Sequence, residues 1–337
     1  MPWKGEKDPY KIWLSEIILQ QTRVEQGLAY YNKFISTFPS IKDLAKASEK
    51  KIYKMWEGLG YYTRCRNLID TARKISKDLN GEFPHTYDEI KKLKGIGPYT
   101  AAAISSFAFN EPQAVVDGNV QRLLSRYFGI STPTDTSEGK KLYQQLAQAL
   151  LDVQQPGIYN QAIMDFGAVI CKPQNPLCND CVQQKDCEAL KHGLVRQLPV
   201  KTKSLVKKHR WLYYFVIELN QKVYIRKRTS KDIWENLHEF VRLETTESLE
   251  ANFTRLEFLQ QIFGKQAYTI KAISKDFHQE LTHQSIHGQF ITISVEKPVP
   301  ALESYMLVEK KSLSRYAFPG LINNFLKEPV SQNRRQP

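Results

Sequence analysis

The chain has 337 residues, 42% of them hydrophobic and 25% charged, and its 48 Lys and Arg against 35 Asp and Glu give a formal net charge of +13. Two domains are expected, because one hydrophobic core usually serves roughly 100–200 residues. No apolar run approaches the roughly 20 residues of a membrane-spanning helix, and Met1-Pro2-Trp3-Lys4-Gly5 lacks the layout of a secretory leader. The expectation is a cytoplasmic protein with no membrane partner. Excess positive charge gathers polyanions, so nucleic acid is the first partner it suggests, although a generally basic protein would carry the same excess.

To about residue 190 the sequence reads as helix after helix, with turn signals at Phe38-Pro39-Ser40, Gly58-Leu59-Gly60, Asn80-Gly81, Gly95-Ile96-Gly97 and Thr132-Pro133-Thr134. The first helix is expected over Asp8 to Gln21, with Asp8 as N-cap and Pro9 at the first helical position. Its stripe holds Tyr10, Trp13, Leu14, Ile17 and Ile18, while Ile12 and Leu19 lie on the other side and flank Glu16. Glu16 is thus an acid in nearly all-apolar company. Desolvation raises the pKa of such a carboxyl and suits it to donate a proton near neutral pH; the competing reading is a surface glutamate.

Further along, Leu93-Lys94-Gly95-Ile96-Gly97-Pro98-Tyr99-Thr100 joins a helix expected over Tyr87 to Leu93 to an Ala-rich one over Ala101 to Ala108. Gly95 and Gly97 allow positive φ and close backbone approach, and Pro98 suits a first helical turn. Free N–H groups at such a start suit one phosphate, unless the segment is an ordinary connection with no ligand. Asp117, in Val116-Asp117-Gly118-Asn119-Val120, is by local chemistry an N-cap. A carboxylate fixed there could also face a positive charge developing on a sugar.

Cys171, Cys178, Cys181 and Cys187 follow with spacing C-x6-C-x2-C-x5-C, while Cys65 stands apart. Close thiols in a reducing compartment point to metal rather than disulfides. Only one tight pair is present, which favours an iron–sulfur cluster over zinc, and the cluster's first role would be to organise a loop too short to bury a core. Residues 191–208, with Leu198-Pro199 and five nearby basic residues, read as a basic linker. Beyond it come strand-like runs at Trp211 to Leu219, Lys222 to Arg226 and Gln289 to Val295, with helix-like stretches at Glu247 to Phe263 and Ser312 to Leu326. An α+β domain over 209–328 and a disordered tail over 329–337 are expected.

The strings Pro2-Trp3, Asp8 through Glu16, Leu19-Gln20-Gln21-Thr22, Gly58-Leu59-Gly60-Tyr61-Tyr62, the glycine hairpin, Val116 through Val120 and the four cysteines occur in one order. Over residues 2–190 this order resembles the catalytic half of MutY-type adenine DNA glycosylases, in the helix-hairpin-helix base-excision superfamily. The resemblance implies an all-α glycosylase domain over 1–190, with its hairpin at about 87–108 and an iron–sulfur loop at 171–187 carrying one [4Fe-4S] cluster. It implies adenine excision opposite 8-oxoguanine or guanine in double-stranded DNA, by a monomer. Glu16 would protonate N7 of the flipped adenine, Asp117 would stabilise the oxocarbenium ion, and Tyr99 and Asn119 would position sugar, water and Asp117. Trp3, Leu19 and Asp165 would line the adenine pocket. Gly95, Gly97, Thr100, Gln21, Thr22 and Tyr61 would contact DNA, with Gln21 and Tyr61 as wedges filling the emptied stack. For Tyr61, core packing explains the residue equally well.

From about residue 209 the chain is similar to the family's C-terminal domain, a relative of Nudix hydrolases. No R-E-x-x-E-E string follows Asp232-Ile233-Trp234-Glu235-Asn236-Leu237, so recognition rather than pyrophosphate hydrolysis is implied. Leu281-Thr282-His283 aligns with the loop that inspects 8-oxoguanine, with Thr282 and His283 offering hydrogen bonds and Leu281 replacing an aromatic; an ordinary exposed Thr-His turn is the competing reading. Related enzymes usually carry a further helix before the Pro-Trp, which leaves open whether the start is shortened and the adenine pocket complete, and Lys4 stands where an arginine is usual. Two rival functions are a glycosylase-lyase like endonuclease III and a DNA-scanning binder without chemistry. Tyr99, where the lyases have a Schiff-base lysine, opposes the first, and the paired acids oppose the second.

Overall fold

A computed structural model describes residues 4–202, 207–249 and 257–328. The chain divides into two compact units, Met1–Lys46 with Arg66–Ser204, and Ala47–Cys65 with Leu205–Pro337. The second unit therefore takes a segment from within the stretch expected to form the first domain. Among the described residues no helix is long and apolar enough to cross a membrane.

The first unit is helical, as expected. It holds α1 (Pro9–Leu19), α2 (Val24–Thr37) and α3 (Ile41–Lys46); α4 (Glu49–Trp56) belongs to the second unit, and α5 (Tyr62–Asp78) runs from one into the other. Then follow α6 (Tyr87–Lys91), α7 (Pro98–Phe109), α8 (Gly118–Phe128), α9 (Ser137–Ala149), α10 (Pro156–Val169) and α11 (Glu188–Lys191). Asp8 caps α1 by accepting from Tyr10 N at 2.9 Å. Tyr10, Ile12, Trp13, Leu14, Ile17 and Ile18 are all buried, so α1 is a central helix rather than a two-faced surface one. It packs on α2 and α7, and α10 packs on α7 and α8.

The stretch expected to be a linker is docked on this unit as far as Thr202. Leu198 is buried and its carbonyl accepts from Arg126 Nε at 3.0 Å, Val200 O accepts from Thr134 N at 3.0 Å, and Thr202 N donates to Asp135. Backbone hydrogen bonds, not apolar periodicity, hold it there, which is why its composition gave no sign of order.

The second unit is α+β, as expected. Its eight-stranded sheet is built on β1 (Lys208–Leu219), which pairs antiparallel with β2 (Lys222–Lys227) and β4 (Val241–Thr245) and parallel with β7 (Gln284–Val295). β3 (His238–Glu239) and β8 (Met306–Glu309) flank β2, while β5 (Thr269–Ile273) and β6 (Phe277–Glu280) pair with β7. One core packs α12 (Glu257–Phe263) through Leu259 and Phe263 against Phe215, Ile217, Ile291 and Ile293. Residues 250–256 of the helix expected over Glu247 to Phe263 lie outside the described residues, as does the tail expected over 329–337.

The helix expected over Ser312 to Leu326 is instead a 3-10 turn, Lys310–Arg315, followed by α13 (Gly320–Lys327). Pro319 cannot donate the hydrogen bond a continuous helix needs. The inserted α4 segment is held to this end of the unit by polar bonds. Glu57 Oε1 accepts from Phe318 N at 2.8 Å and Asn323 Nδ2 at 3.0 Å, Lys54 Nζ donates to Tyr316 O at 2.9 Å, and Asn236 Nδ2 donates to Tyr53 at 3.1 Å.

Candidate functional site

In the first unit three elements bring Glu16, Tyr99 and Asp117 together. Glu16 projects from α1, Tyr99 from the first turn of α7, and Asp117 caps α8. The Tyr99 hydroxyl donates to the Glu16 carboxylate. Burial pushes Glu16 up to about 7; the Tyr99 hydrogen bond opposes this and the nearby Asp117 charge adds to it. Burial likewise raises Tyr99 well above the usual phenol range, reinforced by both carboxylates, so it stays a neutral donor.

Asp117 is a cap and more. Oδ1 accepts from Asn119 N and Val120 N, each at 2.8 Å, and Oδ2 accepts from Asn119 Nδ2 at 2.7 Å. Asn119 Oδ1 accepts in turn from Arg122 Nη2 at 2.9 Å. Arg122, 8% exposed, also donates to Gly167 O at 2.6 Å and to Cys171 O at 2.7 Å. A Cβ on Gly167 would lie 2.8 Å from Asn119 O, so glycine is what lets α10 reach the start of α8.

Around this trio, Asp165 on α10 is half-exposed and ion-paired with Lys4. Leu19 is half-buried with its methyl against Gly27, and Trp3 lies outside the described residues. Gln21 is exposed and held at φ 55, with Thr22 beside it donating to Gln20 O. Thr100, expected to contact DNA, has its side chain buried at 2%, where the hydroxyl accepts from Gln20 Nε2 at 3.3 Å. The first helical turn faces it inward.

The hairpin glycines differ in kind. Gly95 has φ +77 and its absent Cβ would sit 2.6 Å from the Asn67 side chain, so the fold itself requires it. Gly97 has φ −90, and a Cβ there would meet nothing within 4 Å. It caps α7 with no side-chain bond. Among the described residues no steric contact demands glycine at Gly97.

Cys171, Cys178, Cys181 and Cys187 line one pocket together with Leu123, Arg126 and Leu177. Arg126 binds the loop, donating to Lys172 O at 2.7 Å and approaching Cys171 Sγ at 3.5 Å. Burial and the neighbouring thiolates push the Cys178 thiol up, a penalty that a bound cationic group removes. Among the described residues no three Cys, His, Asp or Glu side chains converge enough for a single ion. Four thiols lining one pocket are a donor set for a thiolate-bound metal group.

In the second unit Thr282 and His283 form the turn between β6 and β7, with His283 exposed. The hydroxyls of Thr282 and Tyr61 are hydrogen-bonded. Tyr61 is 44% exposed and held at φ 47, which is not the setting of a core residue. The acids near the vanished Nudix box are occupied by arginines. Arg210 is bidentate to Asp232 at 2.9 and 2.7 Å and to Glu244 at 2.7 and 2.9 Å, holding Asp232 down to about 2. Arg228 binds Glu239, both nearly fully buried.

A family model described as HhH-GPD superfamily base excision DNA repair protein matches residues 14–149, and a NUDIX domain model matches residues 213–328. Over 301 residues the chain is 35% identical to an adenine DNA glycosylase of Buchnera aphidicola subsp. Baizongia pistaciae, spanning 88% of this chain and 82% of that one. The chain belongs to the adenine DNA glycosylases. Among solved structures, a thermostable thymine-DNA glycosylase superposes with a TM-score of 0.53 at 32% identity, over 57% of this chain and 88% of that one. Endonuclease III in a non-covalent DNA complex does so with a TM-score of 0.50 at 22% identity, over 56% and 87%, which shows a shared fold.

Reasoning from sequence missed the arginines of this family member. Asn119, Arg122 and Arg126 lie at helical spacing i, i+3 and i+7, and that polar stripe on α8 was the available signal. The bond between Tyr61 and Thr282 had no signal at all, since the two are distant in sequence.

Proposed function

We propose that this adenine DNA glycosylase, acting as a monomer on double-stranded DNA, hydrolytically excises adenine mispaired with 8-oxoguanine or guanine and leaves an abasic site. Glu16, protonated near pH 7, donates its proton to N7 of the everted adenine. The C1'–N9 bond then breaks with its electron pair moving to the base, and Asp117 stabilises the oxocarbenium ion left on the sugar. Water adds at C1' and loses a proton. Tyr99 and Asn119 hold the two carboxylates in place, and Leu19 and Asp165 border the adenine.

The observation that carries this reading is the pairing of a carboxyl raised to about 7 with a second carboxylate fixed by two backbone N–H donors. Two acids with environments that push them apart are what acid catalysis with cation stabilisation requires. A neutral phenol at Tyr99 supplies no amine for a Schiff base, so the strand is not cut.

Gln21 and Tyr61, exposed and in left-handed backbone, are wedges for the emptied stack. Thr22, Gly95 and Gly97 border the phosphate track, and Thr282 with His283 reads the base opposite adenine. Cys171, Cys178, Cys181 and Cys187 hold one [4Fe-4S] cluster, whose contribution is to order the 171–187 loop.

Incubation with a duplex carrying adenine opposite 8-oxoguanine tests the proposal. The expected product is cleaved only after alkali and is not trapped by borohydride. Cleavage without alkali, or borohydride capture, would overturn it.

A further inference from the structure

We propose that His209 and His287 share one proton across the start of the β1–β7 ladder and form a pH-sensitive clamp. One added proton tightens the clamp, and a second opens it and frees the turn between β6 and β7.

β1 and β7 run parallel in a register that sets His209 beside Ser285 and Trp211 beside His287, so both imidazoles stand on one face of the sheet. His209 Nδ1 lies 3.2 Å from His287 Nε2, with ring centres 5.5 Å apart and ring planes 21° from one another. The two nitrogens therefore meet head on, between the rings and nearly in both planes. A bond there needs one N–H and one lone pair. A metal ion on that line, at roughly 2.0–2.1 Å from each nitrogen, would need them about 4 Å apart, so the contact suits a proton instead.

The surroundings bias the pair. Trp211 lies flat against His287, with ring centres 4.7 Å apart at 10°, a face that favours a positive imidazolium. On β6, directly across from His287, His278 Nε2 meets Ser285 Oγ at 2.7 Å and Glu280 Oε1 at 2.9 Å. Lys207 and Ser285 hold Glu280 down to about 2, so it stays ionised and favours a proton on His278. That charge stands beside His287, with ring centres 4.9 Å apart. Desolvation, His278 and His209 hold His287 below the usual 6.5, against the weaker pull of Glu280 and Asp276.

In the neutral pair one ring donates and the other accepts. A first proton enters at the far nitrogen of the donor ring and makes the bond charge-assisted, which strengthens it. A second can enter only at the shared contact, where N–H then faces N–H and charge faces charge. At this ring separation and an effective dielectric of roughly 20, the second proton binds about 100-fold more weakly, about two pH units lower. The closed pair therefore stabilises the fold above the ordinary imidazole pKa, and its contribution is lost as pH falls through the depressed second value. What it closes is the first rung of the ladder. Lys208 N, immediately before His209, donates to His283 O at 3.0 Å, whereas the pairing beyond continues to Leu219 and Val295.

Imidazole nitrogen NMR of the full-length protein from pH 8 to pH 4, with hydrogen exchange of the Lys208 amide, tests this. Of His209, His278 and His287, two should take up protons near or above 6.5 and the third about two pH units lower. Protection of the Lys208 amide, relative to a free amide at the same pH, should hold until that last proton binds and then fall about tenfold or more. His287→Gln and His209→Gln each replace one imidazole by an amide that never charges, and protection should hold to pH 4 in both. Three independent titrations near 6.5 would overturn the shared proton. Protection that stays level in the parent, or that falls in His287→Gln as it does in the parent, would overturn the clamp.

Discussion

Replacing Glu16 by Gln separates chemistry from stability, and the two should move in opposite directions. The Glu16 carboxyl titrates near 7 in the folded protein against an ordinary 4.5. Because the folded value is the higher one, ionisation works against folding. The parent is unpenalised below about 4.5, and stability is lost as pH climbs through 7. At roughly 1.4 kcal/mol per pKa unit the full penalty at pH 8 is about 3 kcal/mol, and residual solvent access trims it to about 2–3 kcal/mol. Glutamine keeps an oxygen for Tyr99 and never ionises. Glu16→Gln should therefore melt within about 2 °C of the parent at pH 5 and roughly 5–10 °C above it at pH 8, at 2–4 °C per kcal/mol. Excision of adenine should meanwhile fall by a factor of roughly 10²–10⁴, the usual worth of a general acid, with DNA binding kept. Melting curves at the two pH values and single-turnover kinetics are the assays. Parallel pH-dependence of melting in variant and parent would show that the carboxyl is not shifted, and unchanged excision would remove Glu16 from the chemistry.

The hairpin glycines should respond differently. Gly95→Ala, forced into positive φ and against Asn67, should cost about 1–2 kcal/mol in urea unfolding. Gly97→Ala should leave the unfolding midpoint in place and weaken binding of any duplex; unweakened binding would remove the hairpin from the DNA-binding surface. Arg122→Met deprives Asn119, Gly167 and Cys171 of a shared donor and should cost roughly 3 kcal/mol. Iron per chain and visible absorbance should fall with it, and full iron content would contradict the proposed coupling of that arginine to the cysteine loop.

What was legible in the sequence was local. Asp8 and Asp117 announced helix starts because a capping carboxylate works through its nearest N–H groups, and Glu16 stood out because apolar neighbours surround it within one helix. What escaped was set by distant packing. Thr100 turned inward because Gln20 on another helix claims its hydroxyl, and residues 192–202 were ordered by carbonyls that any residue type would provide. The allegiance of the α4 segment depends on Glu57 meeting Phe318 N, a pairing that no periodicity encodes.

From Cys171 O to Arg122, on to Asn119 and then to Asp117 is a run of three hydrogen bonds. A loop that fails to close removes the first of them, while the guanidinium keeps Gly167 O and Asp117 keeps the N–H groups of Asn119 and Val120. If the four cysteines hold the proposed cluster, a chain made without it would lose the Cys171 O anchor of this run while the rest of the network stays bonded.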